Sequence, residues 1–534
     1  MSLVSLACFK FALITVLLYF IVPKKAQWFV LFIANIVFYI SYGVKYIVFL
    51  LAAGIVSYCG ALLLERENLS AKQQAANAKA EKAADSETAE NKEAERRRRM
   101  GRKKTIALFT ILLIISSWVV LKYGNFIAGN VVALASVFVP SISFEGFSWV
   151  LPLGMSFYTF HAIGYVVDIY RKKYPAEKNF LKYFTFLAFF PHMIQGPFSR
   201  FGELSKSMFR GNSFSWQRLC EGTARIIWGA FKKVVIADPT ASTVNMILGS
   251  YNEYGGIQII FAIFLYSIRL YADFSGYMDI VCGFCRILDI GLEENFKQPF
   301  FAKTVDEYWR RWHITLGKWF RDYVFYPASM SKAGMKLSKW ARGKWGPKLG
   351  KLISGYFAML FVWTATGLWH GANWTYLAWG YLNLIVMCST MQLSDTYTAW
   401  KDKLHIRSES FGWKLFCMIR TFMLISFFRF FSVAPDLGAA VSTIGHTFAD
   451  FRISLITQPS AFLLDMFREE IVLAGIGVVA MFTVDILVEC GKWEKVKTAC
   501  PIVLRAFAYS AMIVMIALMI KGADISQGFM YANF

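Results

Sequence analysis

Carboxylates are scarce in this chain. Asp and Glu number 35 against 57 Lys and Arg, and charged residues make up only 17% of the 534 positions. Against that, 57% of the residues are hydrophobic and the mean hydropathy is +0.45. That is more apolar surface than a soluble core can hide. Cysteine is sparse too: nine scattered residues give no disulfide framework. Cys282-Gly283-Phe284-Cys285 has metal or redox spacing, yet no second pair completes a site, so it reads as packing. No Ser-His-Asp order, zinc ligand set, phosphate-binding glycine loop or EF-hand is present. Nor do the two halves repeat one another, as a transporter built from duplicated halves would require.

What the chain does have is a series of apolar runs. They cover residues 4–22, 28–41, 46–64, 106–121, 150–167, 184–194, 257–270, 352–368, 375–388, 416–431, 471–488 and 502–520. With ~20 residues per crossing, and several runs short or broken, the expectation is an all-α, polytopic helical membrane protein. It should have roughly ten to twelve spans plus re-entrant and interfacial helices. The first run holds Lys10 and shows no small-residue cleavage site before Pro23, so it reads as a retained span with Lys10 snorkelling to one face.

A net charge of +22 raises the question of nucleic acid, and the distribution of that charge answers it. Lys and Arg gather between apolar runs, at Lys24-Lys25, Arg171-Lys172-Lys173, Lys232-Lys233, and within 332–351, 401–407 and 492–497. This is the positive-inside pattern of a membrane protein, and no nucleic-acid partner is expected. Tracing from Lys24-Lys25 puts the N-terminus outside and residues 65–104 in the cytoplasm. That segment is rich in Ala, Glu, Lys and Asn and ends in a basic cluster. It reads as a solvated helix or a disordered insertion, its basic end suited to anionic lipid head groups. The expected organisation is N-terminal spans at 1–64, a cytoplasmic charged insertion at 65–104, and the continuation of a single membrane domain at 105–534.

Two stretches carry chemistry. Trp369-His370-Gly371-Ala372-Asn373-Trp374 sets an ionisable ring between two apolar runs, where a titratable side chain is costly and function is the default hypothesis. Burial disfavours the imidazolium and leaves a base able to take a proton. Gly371 and Ala372 leave room for a substrate or a neighbouring helix. A histidine merely hydrogen-bonded between helices fits the same spacing. The second stretch, residues 304–327, repeats Trp309, Trp312, Leu316, Trp319 and Tyr323 at helical spacing. Arg310, Arg311, Lys318 and Arg321 take the other side, and His313 lies at the edge of the stripe. One amphipathic helix at the membrane interface is predicted, with or without a further role for His313.

In order along the chain stand Pro152-Leu153-Gly154-Met155-Ser156-Phe157-Tyr158-Thr159-Phe160, then Asp168-Ile169-Tyr170-Arg171, Phe190-Pro191 and Gly196-Pro197. After them come Asp273-Phe274-Ser275-Gly276-Tyr277-Met278-Asp279, Asn295-Phe296, Tyr308-Trp309-Arg310-Arg311-Trp312-His313, Trp319-Phe320-Arg321-Asp322-Tyr323, and Gly367 through Trp374. Together they resemble the bacterial membrane-bound O-acyltransferase (MBOAT) family, especially its alginate O-acetyltransferase branch, with a motif core at about 150–395. His161 and His192 depart from the family pattern, which has uncharged residues there.

The resemblance implies an MBOAT-like bundle and an O-acyltransferase, acetyl being the expected group. His370 would be the catalytic base and His313 a second catalytic polar group. Trp309, Trp312, Trp369, Asn373 and Trp374 would shape the substrate channel. It further implies no metal and no tightly bound cofactor, with an acetyl-CoA or acyl carrier protein thioester as cytoplasmic donor. The acceptor would be an extracytoplasmic polysaccharide. The partners would be membrane lipid and an SGNH-type extracytoplasmic transferase or other polysaccharide machinery, at a bacterial cell membrane. The D-alanyl transfer protein of teichoic acid modification, and a non-catalytic transporter or export subunit, remain as alternatives.

Overall fold

The computed structural model describes residues 5–80, 86–452 and 469–522, and among them helices account for nearly all regular structure. Residues 1–215 with 287–292 form one compact unit, and 216–286 with 293–534 form another. Among the described residues, seven helices are long and apolar enough to cross a membrane: Val44–Ser70, Glu93–Ala135, Gly256–Ile287, Pro347–His370, Phe411–Val433, Ile471–Glu489 and Ile502–Ile520. The chain is a multi-pass membrane protein. Most of the remaining apolar runs fold into shorter helices, and the run at 375–388 lies in the 19-residue helix Trp374–Gln392.

In the first unit the order is α1 (Leu6–Ile21), α2 (Gln27–Ile40), α3 (Ile47–Ala80), α4 (Ser86–Ala135), α5 (Met155–Tyr170), α6 (Phe180–Leu187), α7 (Phe190–Met193) and α8 (Phe201–Met208). The fifth is predominantly apolar and buries every residue except Val167 and Tyr170, which makes it the core of the unit. It starts at Gly154, where φ is +66° and a Cβ would come within 2.4 Å of the Met193 carbonyl oxygen, so only glycine fits. Asn35 on α2 stitches the broken chain opposite. Its amide donates to the Thr185 carbonyl at 3.0 Å, and its oxygen accepts from the Phe190 N–H at 3.0 Å. Those two backbone groups lie where helix hydrogen bonding lapses and would otherwise be unmet.

The charged insertion is carried largely by the end of α3 and the start of α4; residues 81–85 lie outside the described ones. Its roots are better anchored than composition suggests. Asn68 is buried and donates to the Ile169 carbonyl at 3.0 Å. Arg99, 8% exposed, pairs with Glu95 at 2.9 Å.

The second unit opens with α9 (Trp216–Phe231), a π-helical turn at Lys232–Ala237, α10 (Asp238–Gly249) and the long α11 (Gly256–Ile287). Helices α9 and α11 meet along a glycine seam. A Cβ on Gly229 would sit 2.5 Å from the Gly276 oxygen, and one on Gly283 would sit 2.6 Å from the Gly222 oxygen. Small residues a heptad apart on both helices allow the backbones this approach. Lys232 and Lys233, read above as loop charges, are instead buried in the π turn. Lys232 Nζ reaches Asp279 at 2.6 Å and Ser275 at 2.8 Å, while Lys233 Nζ reaches Asp273 and Asp238, each at 2.7 Å. Two basic residues between apolar runs look like a topology signal until α11 supplies the carboxylates that bury them. Cys282 and Cys285 are buried free thiols, and among the described residues no group of His, Cys, Asp and Glu could hold a metal ion.

The unit continues with α12 (Val305–Arg311), α13 (Ile314–Phe320), α14 (Tyr326–Ser329), α15 (Lys332–Trp345), α16 (Pro347–His370), α17 (Trp374–Gln392), α18 (Ser394–Lys403), α19 (Phe411–Val433) and α20 (Leu437–Ala449). It ends with α21 (Glu469–Glu489), α22 (Trp493–Ala499) and α23 (Ile502–Gly522). The hairpin of α16 and α17 is tight because Gly367 lies against the Tyr376 carbonyl and Gly380 against that of Trp363.

Candidate active site

His313 does not lie on a continuous amphipathic helix. The helix stops at Arg311, and His313 takes a left-handed conformation (φ +48°, ψ +51°) before α13 begins. Such a conformation in a non-glycine residue costs about 1–3 kcal/mol and persists only where neighbours enforce it. The enforcing neighbour is Asn295, buried on the strand-like segment that bridges Phe296 to Trp312. Its carbonyl oxygen accepts from Ile314 N–H at 3.0 Å. Its side-chain oxygen accepts from Thr315 N–H at 3.1 Å and from the Thr315 hydroxyl at 2.9 Å. His313 Nδ1 lies 3.1 Å from that same side-chain oxygen. An N–H can only donate, so the shared atom is the oxygen and Nδ1 carries the hydrogen. Nε2 is then the acceptor nitrogen of a neutral ring, and burial pushes its pKa well below the ordinary histidine value.

His370 is the last residue of α16 and is 7% exposed. Trp369 and Trp379 present their edges to it, each with ring centroids at 4.9 Å, and Tyr376 stacks at 6.1 Å. The room expected beside Gly371 is taken by Tyr376, whose ring lies where a Cβ would go. A small cavity of about 10 Å³, room for about one water, opens beside His370, lined also by Tyr266, Leu270, Tyr376, Trp379, Arg429 and Ser432. Trp369 stands between the two histidines, its ring 5.7 Å from His313.

The other expected site residues fall into distinct places. Trp309 donates to the Asn383 side chain at 2.9 Å and packs on Trp363 and Trp379. Trp312 is buried under the Arg429 guanidinium, 5.7 Å from its ring centroid. Asn373 caps α17 by accepting from Thr375 N–H and also donates to the Pro435 carbonyl at 2.7 Å. Trp374 is 52% exposed and is not among the residues around the His370 cavity, where Trp379 stands instead. Sequence reasoning missed Trp379, Tyr376, Asn295 and Arg429 as site residues. Arg429 had a signal, a charge inside the 416–431 apolar run; the others become visible only through contacts. His161 and His192 belong to the first unit, where their rings stack at 4.7 Å.

Residues 171–342 match the MBOAT, membrane-bound O-acyltransferase, family; the segment includes His313 and ends before His370. The probable alginate O-acetylase AlgI of Pseudomonas fluorescens is 33% identical over 289 residues, 52% of this chain and 54% of that protein. The peptidoglycan O-acetyltransferase of Helicobacter pylori is 28% identical over 327 residues, 56% of this chain and 57% of that protein. The teichoic acid D-alanyltransferase of Bacillus subtilis is 26% identical over 294 residues, 53% of this chain and 69% of that protein. The chain spans about half the length of the alginate O-acetylases it matches. On the matched segment and these relatives, the chain is similar to membrane-bound O-acyltransferases, those of the alginate branch among them.

Proposed function

We propose that the protein is an O-acyltransferase that moves an acyl group, acetyl in the first instance, from a cytoplasmic thioester towards hydroxyls of an extracytoplasmic polysaccharide. The observation that carries this reading is His370, set at the end of a spanning helix on the wall of a small, aromatic-lined cavity. Transfer to a hydroxyl needs a base at the hydroxyl and a donor to the carbonyl oxygen. His370 is the base. Aromatic walls limit water, which would otherwise hydrolyse the thioester. With its Nδ1 hydrogen given to Asn295, neutral His313 offers an acceptor nitrogen and cannot donate to an oxyanion from Nε2. Its role is to hold a hydroxyl hydrogen or to fix Trp369 between the two rings.

The donor is a coenzyme A or carrier-protein thioester, and the acceptor is reached through a separate SGNH-type transferase or other polysaccharide machinery. The likeness to alginate and peptidoglycan O-acetyltransferases supports an acetyl group. The likeness to teichoic acid D-alanyltransferases supplies the competing acyl group. Purified protein in lipid nanodiscs, given labelled acetyl-CoA, acetyl carrier protein or D-alanyl carrier protein, decides among them. His370→Ala should lower transfer about a hundred- to ten-thousand-fold while the melting temperature holds. Activity within a few-fold of wild type would remove His370 as the base. Wild-type protein that consumes no thioester would remove the acyltransferase reading itself.

A further inference from the structure

Arg429 is a cation in an unusual place. It sits on α19, one of the seven helices able to span the membrane, and is 4% exposed. Among the described residues no carboxylate pairs with it and its Nε has no hydrogen-bond partner. The contacts it does make hold it without neutralising it. One terminal nitrogen donates to the Tyr308 hydroxyl at 3.3 Å, and the guanidinium lies 5.7 Å from the centre of the Trp312 ring. Arginine is always charged, so this is a permanent buried cation lacking a protein anion. Keeping one in a spanning helix is costly, and such residues mark substrate or ion sites. The free side opens on the same small cavity as His370.

We propose that Arg429 forms an anion subsite of the His370 cavity and receives the negative charge that develops on the acyl carbonyl oxygen. The proposal rests on the acyl-transfer reading above and adds the oxyanion partner that His313, as the Nδ1–H tautomer, does not supply. The acceptor oxygen forms a bond to the thioester carbon as its proton passes to His370. The carbonyl electron pair moves onto oxygen, beside the Arg429 guanidinium. When that pair returns, the carbon–sulfur bond breaks and the thiolate takes the proton back from His370. Trp312 and Tyr308 hold the guanidinium before the charge appears, so no reorganisation is needed at the moment of reaction.

The test compares wild type with Arg429→Gln and Arg429→Lys in nanodiscs, with acetyl-CoA or acetyl carrier protein as donor. Acceptors are a neutral glucan oligosaccharide and a uronate oligosaccharide, each supplied together with the extracytoplasmic transferase. Arg429→Gln should lower kcat about a hundred- to a thousand-fold with KM little changed, equally for both acceptors. Arg429→Lys should recover part of the loss. A rise in KM confined to the uronate acceptor would mean that Arg429 reads a substrate carboxylate, and would overturn the oxyanion role. Activity within a few-fold of wild type would do the same. A readout without turnover separates this from failure of the acyltransferase reading, and uses methylphosphonate, a small tetrahedral anion. It should raise the melting temperature of wild type and of His370→Ala but not of Arg429→Gln. Equal shifts in all three would show that no anion subsite exists at Arg429.

Discussion

Replacing Asn295 by Ala removes the side-chain acceptor of the His313 turn and leaves the backbone bond from Ile314 N–H to the residue 295 carbonyl in place. The side-chain oxygen takes hydrogen bonds from His313 Nδ1, Thr315 N–H and the Thr315 hydroxyl, all in a fully buried setting. The hydroxyl can rotate to another acceptor; the ring N–H and the backbone N–H cannot. Each stranded donor costs about 1–3 kcal/mol, which puts the substitution at about 2–6 kcal/mol before any relaxation. The left-handed conformation at His313, worth about 1–3 kcal/mol of strain, then loses its enforcement, so relaxation should offset part of that sum. The net expectation is a loss of about 3 kcal/mol, read as a lower melting temperature and easier denaturant unfolding in detergent. Asn295→Asp is the control. It keeps the acceptor oxygen and should retain more of the turn than Ala does, despite the cost of a buried charge. If Asn295→Ala melts with wild type, the turn is held by something other than Asn295, and the tautomer assigned to His313 fails with it.

Three further outcomes follow from the packing. Gly276→Val should abolish the close approach of α9 and α11, seen as loss of folded protein in fluorescence-detected size exclusion, whereas the exposed, uncontacted Gly412→Val should be neutral. Lys233→Met alone should destabilise by about 3–5 kcal/mol in reversible unfolding, because it removes the buried ammonium that pairs with Asp273, while Lys233→Met with Asp273→Leu should recover most of the loss. Replacing residues 72–92 by a Gly/Ser linker of similar reach should leave melting temperature and acyl transfer unchanged. Extending the deletion through Asn68 should cost stability, since that residue donates to the Ile169 carbonyl.

Hydropathy alone made the membrane class legible, because so many apolar runs cannot all be buried inside a water-soluble core. His370 was legible for a related reason: a titratable ring between two such runs is costly enough to stand out. The interruption at His313 was not. Aromatics at helical spacing on both sides of it pointed to one helix, and the reason for the break lies in Asn295, whose hydrogen bonds substitute for those the helix gives up. The lysine pair at 232–233 misled in the same way, since ion pairing with α11 is a tertiary fact. The heptad-spaced glycines of α9 and α11 are plain in the sequence, but nothing local says which helix faces which. Arg429 shows the converse, a charge in an apolar run whose meaning appears only when its neighbours prove not to neutralise it.

The ion pairs beneath the π turn bear on how the chain enters its membrane. Asp273 and Asp279 ride on α11, while their lysines ride on the turn between α9 and α10. A single charge at the centre of a lone inserted helix costs about 2.5–3.5 kcal/mol on the insertion scale, so α11 delivered by itself, with Asp273, Asp279 and Arg269 in its middle, would be costly to insert. Delivered after α9 and α10, it meets two cations already waiting and a glycine seam shaped to bring the backbones together. The unit of biogenesis here is therefore the assembly of α9, α10 and α11. A chain cut short before α11 should be retained at the insertion machinery, and crosslinking of stalled nascent chains would show it. What looks like a stability device in the finished protein is, during synthesis, a rule about the order in which helices are released into lipid.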